Sequence, residues 1–306
     1  MPRTCSVNLG SGVMQTTDET VWELTVDFVG VGAGAAGLAA AIAAVDAGAT
    51  VFLANFGRAL DPSDVTGPPA PTPRSLGRTL GAELADEDTA GYLAALTEEH
   101  PESTAPPCGD DVPVLTVRDL TPVIAKQPGR RDPVPPFHGG RLGDWAAECL
   151  GAPLGLVYSR VIADATTPKR SRAGATVEIA SIGTIELDPD ASAPTLYEWM
   201  SAAAGERDID VPDRIVLQRL VFEEGQVVGA VFDTPTASLA VRARHGVMLA
   251  CDAEPAEATT SMAALVDEPT TAEICLAREP LSRFSRVELH VRAASVNARV
   301  GVPSGR

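Results

Sequence analysis

Positive charge is scarce in this chain. Lys and Arg number 24 against 41 Asp and Glu, and the net charge is −17 at pH 7. Nucleic acid and anionic membrane surfaces both call for a basic face, so neither is an expected partner. Histidine is scarcer still. His100, His138, His245 and His290 stand far apart, no H-E-x-x-H occurs, and no metal site is expected. The five cysteines, Cys5, Cys108, Cys149, Cys251 and Cys275, are scattered, with no C-x-x-C among them. That excludes a zinc ribbon and a dithiol redox motif, and fits free thiols in a reducing compartment. There is no G-x-S-x-G and no P-loop. Aromatic residues make up 4%, and a proton-transferring tyrosine would have to be Tyr92, Tyr158 or Tyr197. Tyr158 lies in an apolar run and Tyr197 on an amphipathic helical stretch, so both read as packing residues and no catalytic residue is assigned. The first twenty residues lack the apolar core of a signal peptide, and no uninterrupted apolar run reaches a membrane-spanning length. A cytoplasmic protein is expected.

The most informative stretch is Val26 to Asn55, VDFVGVGAGAAGLAAAIAAVDAGATVFLAN. An apolar run to Val31 predicts a strand. Gly32-Ala33-Gly34-Ala35-Ala36-Gly37 then makes a turn, an alanine-rich helix is predicted to Asp46, and a second strand covers Val51 to Ala54. Strand, glycine turn, helix and strand form the βαβ context in which G-x-G-x-x-G signals dinucleotide binding. Gly32 suits the tight turn, Gly34 lets backbone approach a pyrophosphate, and Gly37 lets the helix pack on the sheet. Ala35 and Ala36 complete the turn at the helix N-terminus, where backbone N–H groups and the dipole favour phosphate. An acidic residue about 20 positions on ordinarily grips a ribose hydroxyl. Asn55 stands at that place. It can hydrogen-bond the hydroxyl, without the strength that charge adds.

The chain is long enough for one large α/β domain or two smaller ones. Residues 1–20 read as a flexible leader, 21–255 as one domain, and 256–306 as a C-terminal remnant. Proline-rich loops are predicted at 57–75 and 101–140; five prolines fall between Pro62 and Pro73, which excludes helix and central strand there. Helices are predicted from Glu83 through Leu96, at Gly143–Leu150 and at Pro194–Gly205, with another opening at Leu120–Ile124. Ala175–Ile185 reads as a strand. Ile215–Phe222 and Val227–Phe232 read as a hairpin around Gly225. Leu239–Arg244 and Val247–Cys251 read as two short strands, residues 252–280 as weakly patterned, and Arg286–Arg292 as a last strand. The basic pairs Arg130-Arg131 and Lys169-Arg170 read as solvated loop charges.

Four segments carry a resemblance: VGVGAGAAGLAAAIAAVDAGA, PPFHGGRLGDWAAECLGAPLGLVYSRV, TVEIASIGTIELDP and LQRLVFEEGQVVGAVFDT. Together they resemble the flavoproteins of the fumarate reductase/succinate dehydrogenase superfamily, and within it the actinobacterial 3-ketosteroid dehydrogenase-like proteins. The resemblance implies a Rossmann-like FAD/NAD(P)-binding fold, a parallel sheet with a β-meander or hairpin addition. It implies FAD over the glycine turn, with Gly32, Gly34, Ala35, Ala36, Gly37 and Asn55 as cofactor-binding residues. It implies hydride transfer to or from an apolar, steroid-like carbonyl substrate. The chain also departs from that family. Asn55 replaces the family's Glu, VTGPPAPTPRSLG replaces a glycine-rich segment, and the return strand ends Ala250-Cys251-Asp252-Ala253-Glu254 in place of Ala-Thr-Gly-Gly. Asp252 and Glu254 read as surface acids. The substrate cap domain is expected to be missing or vestigial. The alternative is a degenerate, non-catalytic subunit that partners a second, full-length flavoprotein chain. A third reading is an NAD(P)-dependent reductase using the same βαβ unit.

Overall fold

A computed structural model of the chain describes residues 20–54, 86–98, 120–122, 139–150, 152, 156–158, 166–171, 176–191, 193–212, 214–251, 262 and 268–290. Four helices are among them: α1 (Ala35–Asp46), α2 (Glu87–Glu98), α3 (Gly139–Leu150) and α4 (Leu196–Gly205). The strands are β1 (Leu24–Val31), β2 (Val51–Ala54), β3 (Leu120–Pro122), β4 (Leu156–Tyr158), β5 (Thr167–Ser171), β6 (Thr176–Leu187), β7 (Val216–Glu223), β8 (Gln226–Asp233), β9 (Ser238–Cys251), β10 (Thr270–Arg278) and β11 (Phe284–His290). They form one mixed sheet of 11 strands in the order β2-β1-β9-β4-β11-β10-β6-β5-β3, with the β7–β8 hairpin joined to β9.

The parallel sheet expected from the sequence is narrower than predicted. Among the described residues only β2–β1 and β1–β9 run parallel, and the other ladders are antiparallel. Connection length accounts for much of this. A parallel neighbour needs a crossover of a dozen or more residues, which α1 provides between β1 and β2. The turns joining β7 to β8 and β10 to β11 are far shorter and return the chain antiparallel. The β7–β8 turn is formed by Glu224 (φ 50°) and Gly225 (φ 73°), two successive left-handed residues. That conformation matches the twist of the flanking strands.

The sheet separates two apolar cores. On one face lie α1 and α4 with Met248, Ala250, Leu276 and Leu289. On the other lie Leu93 of α2, Trp145 and Cys149 of α3, and Leu249, Cys275 and Phe284 of the strands. Every residue of α1 from Ala35 to Ala44 is buried, because the sheet covers one side and α4 another. A helix apolar all round requires such burial, and its alanines permit close approach. α4 starts with a capping box in which Thr195 Oγ1 accepts from Glu198 N at 3.2 Å and Thr195 N donates to Glu198 Oε2 at 2.8 Å. Thr89, fully buried on α2, ties that helix to the hairpin: its hydroxyl accepts from Leu220 N at 2.9 Å and donates to Asp86 at 2.5 Å.

Several local expectations are corrected. Leu120–Pro122 is a strand and not the start of a helix. Lys169 and Arg170 lie on β5, where Lys169 Nζ meets Glu273 at 2.8 Å. The two short strands predicted for Leu239–Cys251 are one continuous β9. The segment expected to be weakly patterned contains β10, and β10 and β11, both from the predicted remnant, occupy interior positions of the sheet. Asn55, Asp252, Glu254, Arg130, Arg131, His100 and His138 fall outside the described residues. So do most of the two proline-rich loops and nearly all of the leader.

Candidate functional site

The glycine turn sits where β1, β2 and β9 end side by side. β1 lies between β2 and β9, parallel to both, with Val31 opposite Ala54 on one side and Leu249 on the other. Gly32 N continues the first ladder, donating to Ala54 O at 2.8 Å. Gly32 has φ +100°, and a Cβ there would lie 2.2 Å from Ala250 O. A Cβ on Gly37 would lie 1.8 Å from Gly32 O and 3.3 Å from Ala250 Cβ. Gly32, Gly37 and Ala250 therefore interlock: the turn closes on the end of β9 and α1 closes on the turn. Both glycines are demanded by the packing itself.

Gly34 differs. It is the N-cap of α1, with extended backbone (φ −79°, ψ −163°) and no side-chain cap hydrogen bond. Side-chain caps commonly satisfy one of the first-turn N–H groups. Gly34 supplies none, and the first turn carries no acidic side chain. The positive end of the α1 dipole is thus left without a protein anion on its own first turn. Ala35 and Ala36 are buried behind Gly34, and neither brings a polar side chain to the turn. The sequence pattern brings Gly32, Gly34, Ala35, Ala36 and Gly37 into one turn. It gives no hint of Ala250, the small residue at the end of β9 on which the turn rests.

The base of the βαβ unit is held by charge. Asp27 accepts from Thr50 N at 2.8 Å and from Thr50 Oγ1 at 2.7 Å, and it faces Arg244 at 3.1 Å. The Thr50 backbone and side-chain donors, with Arg244, hold its carboxyl at about 2, well below the ordinary range.

A second polar group lies in the opposite core. β11 presents Arg286, Glu288 and His290, all buried and two residues apart, so that one face of the strand carries three titratable groups. Arg286 Nε donates to Glu288 Oε1 at 2.8 Å, Arg286 Nη1 reaches Glu148 at 3.1 Å, and the guanidinium stacks 4.7 Å over Trp145. Burial pulls the Arg286 guanidinium down, and the Glu288 carboxylate beside it more than offsets this, so its pKa is raised. His290 Nε2 lies 2.9 Å from Glu288 Oε2 and 3.4 Å from the buried Cys275 thiol. The period-2 spacing in RVELH was the available signal for this group.

Of the tyrosines, Tyr158 is buried and its hydroxyl accepts from Arg283 Nη1 at 3.1 Å. Tyr197, expected to pack, is instead 46% exposed on α4. Among the described residues no cluster of three or more His, Cys, Asp or Glu could hold a metal, and no helix is long and apolar enough to cross a membrane.

No protein-family model and no curated protein matches the chain. Solved structures do. One is a 3-ketosteroid-Δ4-(5α)-dehydrogenase from Rhodococcus jostii in complex with 4-androstene-3,17-dione, with 20% identity over 76% of this chain and a TM-score of 0.30. Another is the open conformation of a flavocytochrome c3 fumarate reductase, with 21% identity over 74% of this chain and a TM-score of 0.28. A thioredoxin reductase from Gloeobacter violaceus aligns over 77% of this chain with 12% identity and a TM-score of 0.16. The chain spans 47% of the length of the first and 34% of the second.

Proposed function

We propose that this chain is a cytoplasmic FAD-binding protein of the hydride-transfer oxidoreductase type, with the FAD pyrophosphate at the N-terminus of α1. One observation carries the reading. The helix that follows β1 begins at a glycine, which has no side chain to place there, with no acidic side chain in its first turn, at the carboxyl ends of three parallel strands. In open α/β sheets ligands bind outside the carboxyl ends of the strands, where connections leave in opposite directions. The residues present fit a pyrophosphate. Gly34 offers no side chain to obstruct it and stands at the N-terminal end of α1, and the helix dipole favours its charge there. Asn55, directly after β2, is assigned to the ribose. Bound FAD would supply the hydride chemistry; the residues named here bind and orient it. The substrate assigned is an apolar, steroid-like carbonyl compound, on the strength of the four sequence segments quoted above.

The test is the visible spectrum of the protein as purified, followed by titration with FAD. Flavin absorbance, or a saturable rise in melting temperature with FAD, is expected. Ligand at 100 times its dissociation constant adds about 2.7 kcal/mol of stability. A colourless sample whose melting temperature FAD does not move would overturn the reading. NADH titrated in parallel separates the NAD(P) alternative. The alternative of a non-catalytic subunit predicts co-purification with a full-length flavoenzyme and no redox turnover by the isolated chain.

A further inference from the structure

On its edge away from β1, β9 is laddered to β8 as far as Arg242 and to β4 from Leu249 onward. Between them, residues 243–248 have no strand on that edge among the described residues. The same run holds a bulge, because Val26 pairs with Ala243 and Phe28 with Gly246, one residue more on β9 than on β1. Bulges re-aim side chains and are over-represented next to active sites. A cavity of about 240 Å³ opens here, with Arg244, His245, Arg283, Tyr92 and Tyr158 on its walls and the β7–β8 turn closing one side. It lies across the sheet from α1: Tyr158, Ala243 and Val247 belong to the core on the α2 and α3 face.

The chemistry of its walls runs against the rest of the chain. The protein has a net charge of −17, yet no carboxylate is among the described residues lining this cavity. Arg207, Arg242, Arg244, Arg278 and Arg286 each hold a carboxylate. Arg283 holds a tyrosine hydroxyl instead. Its Nη1 donates to Tyr158 OH, and its Nε–Nη2 edge has no partner among the described residues. That edge is the fork that matches a carboxylate or phosphate with two parallel hydrogen bonds. The tyrosine rings are held in turn, Tyr92 edge-on against Phe222 with centroids 5.4 Å apart and Tyr158 against Phe284 at 5.1 Å. The volume equals about eight waters, room for a one-ring acid and too little for a dinucleotide.

We infer that this cleft binds a small one-ring oxyanion, a carboxylate or a phosphate monoester. Arg283 grips the anionic head, and the ring packs on Tyr92 and Tyr158. The site is independent of nucleotide binding at α1. Isothermal titration of the full chain with benzoate, phenyl phosphate, inorganic phosphate and uncharged benzamide tests it. Benzoate or phenyl phosphate is expected to bind saturably and at least tenfold more tightly than benzamide, the tighter of the two identifying the head group. Arg283→Gln is expected to weaken that ligand at least tenfold. Arg283→Lys, which keeps the charge and loses the fork, is expected to fall between them. Arg283 is exposed at the β10–β11 turn, so both variants should melt with the wild type. Three results overturn the inference: no saturable binding of either acid, an unchanged affinity in Arg283→Gln, or inorganic phosphate binding as tightly as phenyl phosphate.

Discussion

The three glycines of the turn should separate cleanly under mutation, because two answer to packing and the third, in the proposed function, to a ligand. In Gly37→Ala the new methyl would lie 1.8 Å from Gly32 O and 2.8 Å from Gly32 C, with 3.4 Å the near limit of ordinary contact. Both atoms are backbone, so no side chain can swing aside. α1 and the turn must part by more than an ångström, and Ala250 Cβ, 3.3 Å away, blocks one direction of escape. Overpacking a well-filled site costs about 1–3 kcal/mol, occasionally more. The backbone character of the clash puts this site at the upper end. Each kcal/mol lowers the melting temperature by roughly 2–4 °C in a domain of this size, so the fall expected is about 6–12 °C. Gly34→Ser is the contrasting variant. Its extended backbone accepts serine, and the hydroxyl can cap a first-turn N–H, which stabilises by a few tenths of a kcal/mol relative to glycine. The same side chain stands in the path of the pyrophosphate, and FAD affinity is expected to fall at least tenfold, about 1.4 kcal/mol. Circular-dichroism melts without ligand and FAD titrations read the two arms. Gly37→Ala melting within about 0.5 kcal/mol of wild type would refute the packing argument. Undiminished FAD binding by Gly34→Ser would refute the assignment of that glycine to the phosphate.

Three further outcomes follow from the polar contacts. Arg286→Met leaves Glu288 buried beside His290 without its guanidinium; breaking such a pair from one side costs about 3–5 kcal/mol, and a urea midpoint measures it. Thr89→Val removes the acceptor for Leu220 N in a buried setting and should cost about 1–3 kcal/mol by the same assay, loosening α2 from the hairpin. Asp27 has a folded-state carboxyl at about 2 against an ordinary 3.8, so its stabilisation is present above the ordinary value and lost as pH falls through the folded one. Acid melts of Asp27→Asn between pH 4 and 2 should therefore fall less steeply than those of wild type, and parallel curves would refute the assignment.

The βαβ unit was legible because every local signal in it agrees. The predicted Val26–Val31, the helix to Asp46 and Val51–Ala54 match β1, α1 and β2 to within two residues. The hairpin was equally plain, since two apolar runs flank a glycine that the turn requires at φ +73°. β10 was hidden for a physical reason. It is laddered on both sides, to β6 and β11, and its one acid in the middle is answered from β5, where Lys169 meets Glu273. Polar residues satisfied by partners distant in sequence break the alternation that a reader of the chain depends on. β11 differs: its period-2 alternation marks it as a strand, but such alternation ordinarily puts the polar face in water, and here all seven residues are buried, Arg286, Glu288 and His290 included. Of the candidate site, the turn could be read and its support could not. Ala250 is one small residue at the end of an apolar strand, and its role exists only once β9 lies beside β1.

Both of the proposed ligand sites arise from β9 changing neighbours. At its carboxyl end β9 runs beside β1, whose own connection departs through α1 toward β2 on the other side, and the proposed nucleotide site lies at that divergence. Along residues 243–248 the hairpin partner has ended and β4 has not begun, so the far edge of the strand meets a cavity in place of a ladder. A backbone edge without a strand leaves donors and acceptors to be satisfied by water or by something bound. The bulge at the same level turns Arg244 and His245 outward, and Arg283 arrives from the β10–β11 turn. The two sites share one strand and face opposite cores, so any coupling between them must pass through the sheet. Titrating benzoate in the presence of saturating FAD measures that coupling directly, since any change in one affinity must appear as an equal factor in the other.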